Sequence, residues 1–136
     1  MDNRERNIEA TKRMYKAVPE GDGETALSLM DPEIRIIYYG DDVTPYAGEY
    51  NGIDGAVQFL TRVGENLEIP KIEAYEFIAD GDNLAVWGHL WFVSRKTGRA
   101  FDSDFAHIIT LRDGKWLFFR DFFNSAIASE VFRSEQ

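Results

Sequence analysis

Residues 105–125, FAHIITLRDGKWLFFRDFFNS, hold two apolar runs around an Arg112-Asp113-Gly114-Lys115 turn. An Asp-Gly pair between such runs is a strong hairpin signal, so both runs are expected to be antiparallel strands. Each run nevertheless carries ionisable groups: His107 in the first, Arg120 and Asp121 in the second. Successive side chains on a strand point to opposite faces. One face of the second strand should therefore hold Leu117, Phe119, Asp121 and Phe123, and the other Trp116, Phe118, Arg120 and Phe122. In the first strand Phe105, His107, Ile109 and Leu111 oppose Ala106, Ile108 and Thr110. Arg120 and Asp121 then cannot pair with each other.

Upstream of this hairpin the pattern continues. KIEAYEFIA (71–79), LAVWGHLWFVS (84–94) and RAFDSDFAHIITL (99–111) read as strands, separated by turn signals at Asp80-Gly81-Asp82-Asn83 and Lys96-Thr97-Gly98. The first half reads differently. Asp2 with Glu5 forms a capping-box pattern, and Ile8, Thr11, Tyr15 and Val18 recur at helical spacing until Pro19 and Gly21-Asp22-Gly23 stop the helix. A short helix over TALSLM and a strand over EIRIIYY follow. Residues 40–52 have loop composition with two tyrosines, and a third helix from about Asp54 presents Ala56, Phe59, Leu60, Val63 and Leu67. The tail, SAIASEVFRSEQ, is expected to add a helix capped by Asn124 or Ser125. Helices followed by hairpins give an α+β class, a curved antiparallel sheet wrapped around N-terminal helices as a cone with an internal pocket.

Bulk properties narrow the function. The chain of 136 residues fits one domain, 1–136, able to bury roughly two thirds of its unfolded surface. It is 44% hydrophobic and 29% charged, with net charge −9. An acidic chain without clustered Lys and Arg makes nucleic acid an unexpected partner. There is no cysteine, which excludes disulfides and thiolate chemistry and fits a reducing cytoplasm. The polar start, MDNRERNIEATKRMYK, is not a signal peptide, and no apolar run approaches a membrane span, so a soluble cytoplasmic protein is expected.

The set of motifs resembles the SnoaL-like members of the nuclear transport factor 2-like superfamily, which includes ketosteroid isomerases. The carriers are Tyr15, Ala17, Gly21 and Asp22; Pro45-Tyr46-Ala47-Gly48 with Tyr50 and Gly52; Thr97-Gly98-Arg99 with Phe101; Phe105-Ala106-His107; and Arg120-Asp121-Phe122-Phe123. The resemblance implies a cone-shaped cystatin-like roll. It also implies that His107 stands where the isomerases hold a pocket carboxylic acid, and that Phe119, Asp121 and Phe123 line the pocket. The convex face would then show Trp116, Phe118, Arg120 and Phe122, a surface through which the superfamily commonly dimerises; a homodimer is expected. The steroid isomerases' base carboxylate is missing, since Ile37 and Tyr38 stand nearest its position, so strict ketosteroid isomerase activity is not expected.

Asp121 and His107 are the catalytic candidates. A carboxylate among Phe105, Phe119 and Phe123 loses solvation, a setting suited to acid–base work, and a neighbouring histidine holds its charge or donates to a developing oxyanion. Alternatively the pair only fixes the packing of the sheet. Tyr15 is expected over the cone, and Tyr38, Tyr46 and Tyr50 at its mouth, with Phe59, Phe77, Leu90 and Phe92 as core or pocket wall. His89 is read as a sheet-face or interface residue. No metal is expected, because the two histidines and Asp121 lack ligand-type spacing, and no cofactor is implied. The expected activity is binding of a small, largely hydrophobic molecule with isomerase-, cyclase- or dehydratase-like proton transfer; a non-catalytic carrier or a protein-interaction module are the alternatives on this fold.

Overall fold

Asp113 and Gly114 both adopt positive φ, 53° and 76°, the geometry of the two-residue turn that suits a twisted hairpin. That turn joins β5 (Ala100–Arg112) to β6 (Lys115–Phe123). The structure, a computed structural model describing residues 1–136, builds outward from this hairpin. β4 (Asn83–Ser94) and β3 (Leu67–Asp80) extend the sheet antiparallel on one side. On the other side lie β1 (Met30–Tyr38) and the short β2 (Gly48–Asn51), giving the order β2-β1-β6-β5-β4-β3. The β1–β6 pair is parallel, so the expected all-antiparallel sheet is corrected at that seam. β1 with β2, and β3 through β6 in turn, pair antiparallel with their sequence neighbours, whereas β1 reaches β6 across most of the chain.

The helices are α1 (Asn3–Ala17), α2 (Gly23–Ser28), α3 (Gly52–Asn66) and α4 (Ser125–Arg133). Asp2 caps α1 by accepting from the Glu5 amide at 2.8 Å, and Asn124 caps α4 by accepting from the Ile127 amide at 3.2 Å. α1 buries Ala10, Thr11, Met14 and Ala17 against the concave face, one residue round from the expected stripe. α3 starts two residues earlier than expected, and Leu67 leaves it to begin β3. The core so formed includes Ile34, Ile36, Leu84 and Ile109, all fully buried. Gly88 is required where β4 passes a bulge in β3: a Cβ there would sit 1.9 Å from the Glu73 carbonyl oxygen.

A second bulge overturns one face assignment. Thr110 faces Phe118 but Leu111 faces Trp116, leaving Leu117 without a partner in β5. The extra residue shifts the alternation by one, so Trp116 is buried inside, 2% exposed, and donates from its indole N–H to Thr11 Oγ1 at 3.1 Å. Trp116 therefore does not belong to the convex face; Phe118, Arg120 and Phe122 remain there. No helix is long and apolar enough to cross a membrane.

Candidate functional site

β5 and β6 pair His107 directly with Asp121, and both side chains point to the concave face. Parallel pairing then sets Tyr38 of β1 beside Asp121 on the same face. Tyr15 reaches the group from α1, its Oη 2.7 Å from His107 Nδ1. Burial raises the Tyr15 pKa well above its ordinary value, and the Asp121 charge adds to the shift, so the phenol keeps its proton. The phenol can donate to Nδ1, the arrangement that leaves Nε2 as the ring's N–H on the Asp121 side. Nε2 lies 3.2 Å from Asp121 Oδ1, but off the line of a hydrogen bond, so that both atoms lack a well-aligned partner. Phe105 and Phe119 flank the imidazole, with ring centroids 4.3 and 4.7 Å away.

The group borders a cavity of about 70 Å³ between α1, α3 and the sheet. Of its 18 lining residues 16 are hydrophobic, leaving His107 and Asp121 as the only others. A wider hollow of about 560 Å³ opens outside, and Val18, Val63, Leu67 and Ile69 form the wall common to both. The inner space is the apolar one; Glu20, Glu68 and Arg95 edge the outer one.

Tyr15, Tyr38, Tyr46, Phe59 and Phe119 line the cavity together with the His–Asp pair. Tyr38 and Tyr46 do not rim a mouth, as expected of them, but are 5% and 0% exposed, because the 39–47 loop folds Tyr46 back under α4 against Phe132. Three expected residues do not reach the cavity. Tyr50 is buried beside α3, where it donates to the Tyr46 carbonyl at 2.9 Å and accepts from Arg62 at 3.2 Å. Phe105 stands behind Tyr15 and His107, and Phe123 packs on Phe92 and Phe101. Sequence reasoning missed Met14, Met30 and Trp116 as cavity wall. For Met14 the signal existed, since it shares the helical face of Ala10 and Ala17; for Trp116 the bulge hid it.

His89 lies on the outer face, out of the cavity, held between Asp102 at 2.6 Å and Asp104 at 2.8 Å. His89 and His107 thus sit on opposite sides of the sheet and share no coordination point.

The sequence model of the SnoaL-like domain matches residues 11–119. The chain belongs to the SnoaL-like family. The match ends just before Asp121. Among functionally curated proteins, none matches this SnoaL-like chain. Solved structures similar to it include a nuclear transport factor 2-like protein from Burkholderia xenovorans LB400, 26% identical, covering 93% of this chain and 95% of that one with a TM-score of 0.80. TerC co-crystallised with polyporic acid is 28% identical over 94% of this chain and 98% of that one, with a TM-score of 0.81. A candidate isomerase from Bacillus subtilis has a TM-score of 0.87 over 98% of this chain and 96% of that one, at 17% identity a likeness of fold alone.

Proposed function

We propose that this SnoaL-like chain binds a small, largely hydrophobic molecule in the inner cavity and moves a proton on it without a cofactor. The observation that carries the reading is the buried Tyr15–His107–Asp121 row at the single polar end of an otherwise apolar space. The similarity to TerC, crystallised with polyporic acid, adds support for an organic ligand. A cavity of about 70 Å³ is smaller than the roughly 150 Å³ that admits benzene, so a ring enters by displacing flexible Met14 and Met30 and pushing into the outer hollow.

The chemistry follows from the donors and acceptors. The Asp121 carboxylate takes a hydrogen from a carbon next to a carbonyl. The C–H electron pair becomes the C=C bond of an enolate, and the carbonyl π pair moves onto oxygen. Protonated Asp121 returns the proton to the same or another carbon. His107, its Nδ1 occupied by Tyr15, keeps Nε2–H on the Asp121 side, where it steadies the carboxylate; poor alignment without ligand is common for such contacts.

The test is hydrogen–deuterium exchange of 2-indanone in deuterated buffer, followed by NMR. Wild type should speed loss of the α-hydrogens, and Asp121→Asn should reduce the catalysed rate by about 10²–10⁴-fold with affinity within a few-fold. Catalysed exchange that survives Asp121→Asn defeats the assignment. Binding without any catalysed exchange leaves the second reading, a non-catalytic carrier, which the low polarity of the lining supports.

The same proposal includes a homodimer through the outer sheet face. Its support is exposed aromatic surface: Phe122, 39% exposed, stacked on Tyr39 at 4.6 Å, and Trp87, 44% exposed, against Tyr75.

A further inference from the structure

Between α1 and β3, the strand at the end of the sheet, lies a hollow of about 380 Å³ lined by Lys12, Tyr15, Lys16, Ile72, Ala74 and Phe77. Its floor is apolar, and its two charged residues are both lysines. They stand four apart on α1, and so on one face of the helix. Lys12 leans across to β3, its Nζ 5.7 Å from the centre of the Phe77 ring. Neither lysine enters any ion pair of the chain, whereas Lys71 of β3 is held by Glu73 at 3.1 Å. The helix dipole accounts for a cation at Lys16, in the last turn of α1, but Lys12 lies well before that turn. On a chain of net charge −9, a concavity with two cations and no acid runs against the surrounding field. Glu5, Glu9 and Glu76 border the next hollow along α1, which shares Lys12 and Phe77 and also has Arg4. Of these acids, Glu76 already accepts from the Trp87 indole N–H at 3.0 Å.

We propose that the α1–β3 hollow is a binding site for a small amphipathic carboxylate. Its apolar body lies on Ile72, Ala74 and Phe77, and its carboxylate lies between the Lys12 and Lys16 ammonium groups. The site goes beyond the reading above and does not depend on it: Tyr15 and Ile72, which line both spaces, separate it from the inner cavity. The two kinds of lining select the ligand together. A hydrocarbon covers the floor but leaves both ammonium groups without a counter-charge. An inorganic anion meets the lysines and leaves the apolar floor in water. An amine adds a third positive charge to the two already there. A carboxylate on an aliphatic or aryl body answers both, accepting charge-assisted hydrogen bonds at one end and burying apolar surface at the other.

Octanoate, octan-1-ol and octylamine share one chain length and differ in charge. Each is titrated at neutral pH and low salt into the isotope-labelled whole chain, with backbone amide shifts read by NMR. Octanoate should bind tightest and octylamine weakest, with the shifted amides in residues 12–16 and 72–77. Lys12→Gln and Lys16→Gln should each weaken octanoate about 2–5-fold, and the two together about 5–20-fold, while octan-1-ol stays within about twofold. Both lysines are exposed, so the variants should keep the wild-type melting temperature. Salt at about 0.5 M should remove most of the preference for octanoate over octan-1-ol. Octanoate that fails to bind, or binds no tighter than octan-1-ol or octylamine, overturns the proposal. So does an unchanged octanoate affinity in the double variant, or an equal loss for octanoate and octan-1-ol. Shifts confined to Met30, Leu90 and Phe119 overturn it as well, since they would put the carboxylate in the inner cavity instead.

Discussion

Tyr15 and His107 hold each other across 2.7 Å at the polar end of the cavity. Tyr15→Phe removes a neutral hydrogen bond and strands a buried imidazole nitrogen; the expected cost is about 1–3 kcal/mol, read from urea denaturation. An unchanged midpoint would show that Nδ1 has another partner. His89 predicts the opposite kind of behaviour, on the outer face. The hydrogen bonds that protonated His89 donates to the Asp104 and Asp102 carboxylates raise its pKa, so the folded state holds the proton more tightly than the unfolded chain, where histidine titrates near 6.5. The stabilisation is fully present below about pH 6.5 and is lost as pH rises through the elevated folded value. The melting-temperature gap between wild type and His89→Gln should therefore be larger at pH 6 than at pH 9; a gap that grows with pH refutes the ion pairs. At this scale the sequence was informative where alternation holds. His107 and Asp121 share the inner face because they are register partners beyond the bulge, where the two-residue period runs unbroken through Phe119, Asp121 and Phe123.

Alternation fails at Leu117, and with it one element's facing. Nothing in KWLFF marks which residue of the strand will be left unpaired, because the bulge answers to the shape of the partner surface and not to local propensity. What the bulge achieves is the burial of Trp116 over Phe119, centroids 4.5 Å apart, with the indole N–H on Thr11 of α1. That contact ties the hairpin to the first helix and forms part of the cavity wall. Trp116→Ala should cost about 3–5 kcal/mol, measured by chemical denaturation, whereas a solvent-facing tryptophan would cost little. The parallel β1–β6 seam was hidden for a related reason: it joins residues about eighty positions apart, and neither segment records its partner. Gly88 shows the converse, a residue whose meaning needs the neighbouring strand. Its Cβ position is occupied by the Glu73 carbonyl at 1.9 Å, so Gly88→Ala must push β3 and β4 apart. A loss of about 1–3 kcal/mol is expected in the same assay, and a neutral outcome would mean that the strands separate freely there.

For the molecule as a whole, the sheet sorts its two faces by task. The inner face carries the buried polar row and the cavity; the outer face carries aromatic surface beside charges that the chain itself does not fully pair. Arg120 lies 3.7 Å over the Phe118 ring with Arg35 4.7 Å away on the same ring, yet only Arg35 has a carboxylate, Glu49 at 2.7 Å. Two cations on one ring repel, and an uncompensated guanidinium on a chain of net charge −9 has ample acidic surface to meet on a second copy. Asp102 and Asp104 stand on the same outer face, at the far end of β5 from the residues opposite Phe118, so a two-fold axis across the sheet can bring Arg120 of one copy toward the acidic end of the other. Under that arrangement Phe122 and Tyr39 lie within the buried area. Sedimentation at micromolar concentration should give wild type twice the 15.6 kDa chain mass, and Phe122→Asp, which sets a charge inside the apolar contact, should give the chain mass with an unchanged far-UV spectrum. A wild-type monomer under these conditions rejects the dimer, and a Phe122→Asp variant that stays dimeric moves the contact away from this face.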